Sequence, residues 1–272
     1  MLGKKRKGKI KTEFKPILHI EMPIKVLLSG EGVTDHGELI PSGGLCQFVK
    51  LEGACQPLIR KCADNREMEF LVAERWREWP TFNGSKMPSN NVLPGHAKKS
   101  YICTLLAGLN DCPIVVVLID GDKASRKKAP KPKLKPAVKK RVNELRGELE
   151  IGFSKAKEKL ADGISTVRMV PMRMLESWLM ADANAIKIMT GVDPGPILKG
   201  KYLEGMWGKE ENPVSDHPKC VMNRILKGSS FTAGRESFRC LAEETDLKVL
   251  VKRCPESAKP FVDEAQAVFG SV

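Results

Sequence analysis

The stretch Pro113-Ile114-Val115-Val116-Val117-Leu118-Ile119-Asp120-Gly121-Asp122 decides the fold. Its apolar run is rich in β-branched residues and has no polar alternation, which predicts a parallel strand covered on both faces. Such strands belong to α/β domains, where ligands gather outside the carboxyl ends of the strands. The run therefore predicts both a fold class and a position for Asp120, at a strand end where ligands bind.

Strands and helices are predicted to alternate on both sides of this run. The mostly apolar segment from Ile24 to Ser29 predicts a buried strand, and period-two spacing predicts another from Met68 towards Trp76. Ser165 to Val170 alternates as a fourth strand. Helical spacing of apolar residues predicts helices over about 44–62, 94–109, 138–160 and 174–182. We therefore expect an α/β fold, a parallel sheet flanked by helices.

Composition and the predicted elements divide the chain into three parts. Residues 1–16 are basic, lack apolar periodicity and are expected to form a flexible arm. Residues 17–190 hold the α/β core, including a basic Lys/Pro loop at 123–136, where prolines favour an extended path. Residues 191–272 contain helix-like segments and are expected to form a helical C-terminal region packed on the core.

The positive charge is concentrated in two short segments. The chain carries a net +13, of which residues 1–15 hold +6 and residues 123–146 hold +10, so the remainder is slightly acidic. Local basic runs attract polyanions by releasing counterions, which favours a nucleic-acid partner. A solvated arm and loop that only aid solubility are the alternative.

The apolar stretches and the cysteines indicate a cytoplasmic protein. No apolar run is long enough to cross a membrane, so no membrane association is expected. The cysteines contain no C-x-x-C spacing and mostly lie in helix-like apolar settings, which predicts buried free thiols. They are Cys46, Cys55, Cys62, Cys103, Cys112, Cys220, Cys240 and Cys254.

Carboxylates follow two of the predicted strands. Glu31 lies in a Gly-Glu-Gly turn after the first strand, and Asp120 and Asp122 flank a glycine after the later one. Three hard oxygen ligands at one sheet edge suit Mg²⁺ or Mn²⁺, which can activate water and polarise a phosphate. Each motif taken alone is also explained as an ordinary turn, since Asp and Gly favour turns.

Three blocks together resemble the stand-alone proteins of the Toprim superfamily: Glu31-Gly-Val-Thr-Asp35, Asp120-Gly-Asp122 and Leu175-Glu-Ser-Trp-Leu-Met-Ala-Asp182. They occur in the family's order within about residues 24–190. The resemblance implies a Toprim-like fold with Mg²⁺ or Mn²⁺ as cofactor. It also implies catalytic roles for Glu31, Asp120 and Asp122, joined as metal ligands by Glu176 and by Asp35, where many members have Glu.

Some of these Toprim proteins are effectors of the PARIS antiphage defence system. The resemblance implies a toxic, metal-dependent nuclease that cleaves tRNA or other RNA, acts as a homodimer and is held by an ABC-type ATPase. A non-catalytic Toprim module that binds nucleic acid or a protein, and a DNA nickase, are the alternatives. A nucleotide or small-phosphate enzyme is disfavoured because the chain lacks a Gly-rich loop ending in Lys-Ser/Thr.

Two groups of basic residues are candidates for nucleic-acid contact. His96, Lys98 and Lys99 open the helix before the central strand, where amide donors and cations favour phosphate. The Lys/Pro loop begins directly after Asp122, and its lack of aromatic residues predicts contacts with the backbone of the nucleic acid. Its candidates are Lys123, Arg126, Lys127 and Lys128. Trp76, Trp79 and Trp178 are expected in the core rather than stacked on bases.

Overall fold

A six-stranded sheet forms the centre of the computed structural model, which describes residues 22–30, 32–41, 43–80, 84, 86–89, 91–121, 134–160 and 163–271. The order across the sheet is β2-β3-β4-β1-β5-β6, with β4, β1, β5 and β6 parallel and β2 and β3 added antiparallel. The strands are β1 (Ile24–Ser29), β2 (Glu38–Leu39), β3 (Gln47–Leu51), β4 (Met68–Val72), β5 (Ile114–Leu118) and β6 (Ser165–Met169).

Helices cover the sheet and make up most of the C-terminal region. Those in the first part of the described chain are α1 (Val33–His36), α2 (Cys55–Cys62), α3 (Gly95–Leu109), α4 (Lys135–Lys157), α5 (Glu176–Leu179) and α6 (Ala183–Thr190). The C-terminal region adds α7 (Gly195–Leu198), α8 (Pro218–Leu226), α9 (Arg235–Glu244), α10 (Leu247–Arg253) and α11 (Ala258–Phe269). None of the helices in the described ranges has the length and apolar character needed to cross a membrane.

Side chains of β5 enter two different hydrophobic clusters, one on each face of the sheet. Val116 and Leu118 belong to the cluster that includes α2, α5 and the C-terminal helices. Val115 and Val117 belong to the cluster formed with α3 and α4. Every residue of β5 is fully buried, which confirms the expected strand covered on both faces and the α/β class. All eight cysteines are free thiols, and six of them are buried.

The predicted helix over 44–62 is wrong in its first half. Residues Gln47–Leu51 form β3, which pairs antiparallel with β4, and only Cys55–Cys62 is helical. The spacing of apolar side chains there also fits a helix, but the hydrogen bonds offered by β4 favour the strand. Gly53 lies between β3 and α2. A Cβ at this position would lie 2.5 Å from the Asp35 carbonyl oxygen, so glycine allows the close approach of α1 here.

Other predicted boundaries also shift. Trp76 lies in a short 3₁₀ turn rather than in β4. Helix α4 begins at Lys135, within the range predicted for the Lys/Pro loop, and has Pro136 in its first turn. The predicted helix 174–182 shortens to α5. Asp182 starts α6 instead, because its carboxylate accepts the amide hydrogens of Asn184 and Ala185.

Helices α3 and α4 come into close contact at Gly152. A Cβ on Gly152 would lie 2.0 Å from the Ala97 carbonyl oxygen and 2.1 Å from the Ser100 hydroxyl oxygen. That hydroxyl donates to the Leu149 carbonyl at 2.8 Å. Gly152 therefore sets the distance between α4 and the first turns of α3, which carry Lys99.

Substitution of two glycines in α4 tests this contact. Gly152→Ala is expected to lower the free energy of unfolding by about 1–3 kcal/mol, because the methyl group forces the two helices apart. The matched control is Gly147→Ala, five residues earlier on the exposed side, where a Cβ meets no atom. Alanine there is expected to stabilise by up to about 1 kcal/mol. Equal effects in urea denaturation would contradict the close crossing.

Candidate metal centre

The carboxyl ends of β1 and β5 lie side by side and are joined by a buried lysine. Ser29 of β1 is in register with Val117 of β5. The Lys99 ammonium donates to the Leu118 carbonyl at 2.7 Å and lies 3.4 Å from the Gly30 carbonyl oxygen. Lys99 is only 5% exposed. Its charge therefore lies at the sheet edge where the acidic motifs begin.

Asp35 is brought to this edge by a tight return of the chain after β1. A Cβ on Gly30 would lie 2.9 Å from the His36 ring and 3.3 Å from the Asp35 Cβ, so glycine allows α1 to fold against the strand end. Asp35 is 9% exposed. The Asp35 carboxylate is thus held beside the end of β1, in the block that contains Glu31.

Asp120 is fixed by contacts of the glycine that follows it. The Gly121 amide donates to the Pro171 carbonyl at 2.8 Å, and a Cβ on Gly121 would lie 3.0 Å from the Met172 Cα. The turn after β5 is therefore attached to the segment that follows β6. Asp120 itself is half-buried.

Glu176 enters the same region from α5. Burial, together with the negative charge of Asp35, raises the pKa of its carboxyl to about 7. The helix is anchored by Trp178, whose fully buried indole donates to the Ser257 hydroxyl at 2.8 Å. The Glu176 and Asp35 carboxylates thus lie close enough to repel each other.

Lys219 of α8 is a site residue that the sequence did not indicate. Its ammonium pairs with Glu210 at 2.9 Å, and this hydrogen bond, together with the nearby charges of Glu176 and Asp120, raises its pKa. Nearly half of the side chain is exposed. Lys219 therefore places a solvent-accessible cation next to two of the expected metal ligands, from a region with no motif of its own.

Two neutral groups line the inner side of the acidic residues. The Cys55 thiol is fully buried, and burial together with Asp35 and Asp120 keeps its pKa well above the usual range. Burial also lowers the pKa of His36, whose Nδ1 donates to the Gly37 carbonyl at 3.0 Å. Neither group supplies a thiolate or an imidazolium at neutral pH.

The predicted site residues divide into described and undescribed ones. Asp35, Asp120 and Glu176 lie in one region, since Glu176 is near Asp35 and Cys55 is near both Asp35 and Asp120, but the three do not converge on one point. Glu31 and Asp122 adjoin Gly30 and Gly121 but lie outside the described residues, as do Lys123, Arg126, Lys127 and Lys128. His96 and Lys98 lie half-buried in the first turn of α3, whereas Lys99 points to backbone carbonyls. Phosphate contact by these three stays a prediction.

The donor chemistry of this region fits a hard divalent cation. Carboxylate oxygens from Asp35, Asp120 and Glu176 are the ligand type that Mg²⁺ and Mn²⁺ prefer. Among the described residues, no three His, Cys, Asp or Glu side chains lie close enough to hold one metal ion. The described residues alone therefore do not form a complete ligand set.

Comparisons of the chain with protein-family models, with curated proteins and with solved structures find no match.

Proposed function

We propose that the protein is a metal-dependent nuclease that cleaves phosphodiester bonds. The observation that carries the proposal is the approach of three carboxylates, Asp35, Asp120 and Glu176, to one edge of a parallel sheet. Glu31 and Asp122, one residue beyond the described ends of two neighbouring strand turns, complete the proposed ligand set. Carboxylates at this edge suit phosphate chemistry with a divalent cation.

The residues of the site have distinct proposed roles. A bound Mg²⁺ or Mn²⁺ would polarise the phosphate and lower the pKa of an attacking water. Asp120 and Glu176 would hold the cation, and Glu31 and Asp122 would act with them. Lys219 attracts the phosphate and offsets its charge, because its ammonium is exposed beside those carboxylates. Lys99 fixes the separation of the two strand ends.

The proposed substrate is RNA, with tRNA favoured by the Toprim resemblance. The same resemblance supports a role as a toxic antiphage effector, active as a homodimer and held by an ABC-type ATPase. The basic segments at 1–15 and 123–146 favour a polyanionic substrate independently of the resemblance.

One observation favours a second candidate, a non-catalytic Toprim module. No three potential ligands in the described part of the chain converge within metal-binding distance. If Glu31 and Asp122 do not complete the set of metal ligands, the protein would bind nucleic acid or a protein partner without cleaving it. Mg²⁺-dependent cleavage by the purified protein decides between the two candidates.

Asp120→Asn tests the nuclease directly. The change keeps the size of the side chain and removes its charge, so Mg²⁺-dependent cleavage of a tRNA pool is expected to fall by at least about 100-fold. Cut ends are counted by sequencing, and nicking of supercoiled plasmid under the same conditions tests the DNA alternative. The control is Asp263→Asn, an exposed aspartate in α11 paired with Lys259, which is expected to cleave normally. Full activity of Asp120→Asn would contradict the proposal.

The raised pKa of Glu176 gives a second, independent test, which concerns cation binding at this carboxylate. A carboxyl whose pKa is about 7 in the folded protein, against an ordinary value of 4.5, stabilises the fold fully below pH 4.5. That contribution, about 3 kcal/mol, is lost as the pH rises through 7. A bound divalent cation offsets the loss, because it neutralises the buried charge.

Glu176→Gln is therefore expected to gain stability relative to the wild type as the pH rises from about 4.5 to 8 in EDTA, by up to about 3 kcal/mol. Glutamine carries no charge to bury, so its own profile lacks this component. Mg²⁺ at pH 8 is expected to stabilise the wild type more than the variant. Urea denaturation across this pH range measures both effects, and parallel profiles of the two proteins would rule out a raised pKa at Glu176.

A further inference from the structure

A cleft of about 460 Å³ opens in the C-terminal region. Its volume lies in the range of sites that bind small organic groups. Part of its wall is the segment after α7, which contributes two aromatic rings and two lysines. The side chains that define it are Lys199, Lys201, Tyr202, Met206, Trp207 and Asp216.

Both aromatic rings of the cleft are held by neighbouring groups. The Arg173 guanidinium lies 3.2 Å from the centre of the Trp207 ring, and the Lys135 ammonium lies 5.8 Å from that of Tyr202. The Tyr202 hydroxyl donates to the buried Glu204 carboxylate at 3.3 Å. The rings are therefore positioned in advance, so little side-chain entropy is lost when a flat ligand binds.

The charges of the cleft favour an anion next to these rings. Lys199 is exposed, and Lys201 pairs with the exposed Asp216 at 2.6 Å. The Lys201 side chain is 26% exposed and that of Asp216 53%, and Asp216 has Arg224 at 3.8 Å as a second partner, so a phosphate can take its place at Lys201. Aromatic rings beside exposed ammonium groups are the combination that proteins use to bind a base together with its phosphate.

The cleft and the candidate metal centre both adjoin the segment of chain that follows β6. Tyr202 packs against a small hydrophobic cluster of Val138, Val142 and Met172, and Met172 lies against Gly121, the neighbour of Asp120. Arg173, which stacks on Trp207, is three residues from Glu176. Residues 171–176 therefore connect the surroundings of the cleft with the carboxylates.

We infer that this cleft binds one unpaired nucleotide of the nucleic-acid substrate, with its base against the Tyr202 and Trp207 rings and its phosphate at Lys199 and Lys201. The inference rests on the proposed function and specifies its substrate as single-stranded or looped. In a duplex both faces of each base are already stacked, so only an unpaired base can lie on a protein ring. The site therefore selects for unpaired regions without reading sequence.

Binding of labelled RNA in EDTA tests the inference without cleavage. The wild type is expected to bind a single-stranded RNA more tightly than the fully paired duplex of the same sequence. Tyr202→Leu is expected to weaken binding of the single strand by about tenfold, because it removes the ring, and to change duplex binding little. Tyr202→Phe is the matched control: both variants lose the hydroxyl contact with Glu204, but phenylalanine keeps the ring and the strand preference.

A charge variant gives a second reading that does not disturb packing. Lys199→Glu is expected to reduce single-strand binding more than Lys187→Glu, an exposed lysine of α6 that does not line the cleft. An unchanged ratio of single-strand to duplex affinity in both Tyr202→Leu and Lys199→Glu would overturn the inference. Free AMP that competes as strongly as the RNA would also overturn it, since the cleft would then serve a free nucleotide.

The RNA-binding experiment and the nuclease assay test separate claims, so one can fail without the other. A protein that cleaves RNA with Mg²⁺ but binds single strands and duplexes alike overturns the cleft assignment alone. A protein whose strand preference depends on Tyr202 but that cleaves nothing with Mg²⁺ supports the cleft and overturns the nuclease.

Discussion

The buried ammonium group of Lys99 contacts backbone carbonyls at both of the strand ends that form the candidate site. It reaches the Leu118 carbonyl and lies near that of Gly30, at the ends of β5 and β1. A buried cation is unfavourable unless hydrogen bonds and opposite charges surround it. The buried Cys55 thiol lies within the fields of Lys99, Asp35 and Asp120, so these three charges share one small region. The positive charge of Lys99 therefore lies in the same region as the negative charges of Asp35 and Asp120 and partly offsets them.

The same arrangement accounts for the positions of the glycines in the acidic motifs. Gly30 lets α1 return against β1, and Gly121 lets the turn after β5 contact the chain after β6. Each glycine brings a carboxylate-bearing turn closer than a larger residue would allow. The Gly-Glu-Gly and Asp-Gly-Asp sequences thus have a packing reason as well as a proposed chemical one. The segment attached by Gly121 continues to Arg173, which stacks on Trp207 of the aromatic cleft.

Much of the parallel sheet was predictable because β1 and β5 are mostly apolar runs and β4 and β6 alternate with the period of a strand. β1, β5 and β6 and the long helix α4 appear where their patterns indicate. β3 was not predictable, because its pairing with β4 outweighs a spacing that also fits a helix. In the site, Asp120 follows from the end of a strand, whereas Lys219 and the rings of the cleft do not. Their roles arise from tertiary contacts between distant parts of the chain, and no local pattern marks them.

Anomalous diffraction from crystals soaked in Mn²⁺ tests the central claim most directly. A divalent cation held by the carboxylates at the ends of β1 and β5 predicts a manganese peak within bonding distance of Asp120, with Glu176, Asp35, Glu31 or Asp122 supplying its other protein ligands. The peak is expected to disappear in Asp120→Asn crystals. A fully soaked crystal with no peak at these carboxylates, or with manganese bound only elsewhere, would contradict the account.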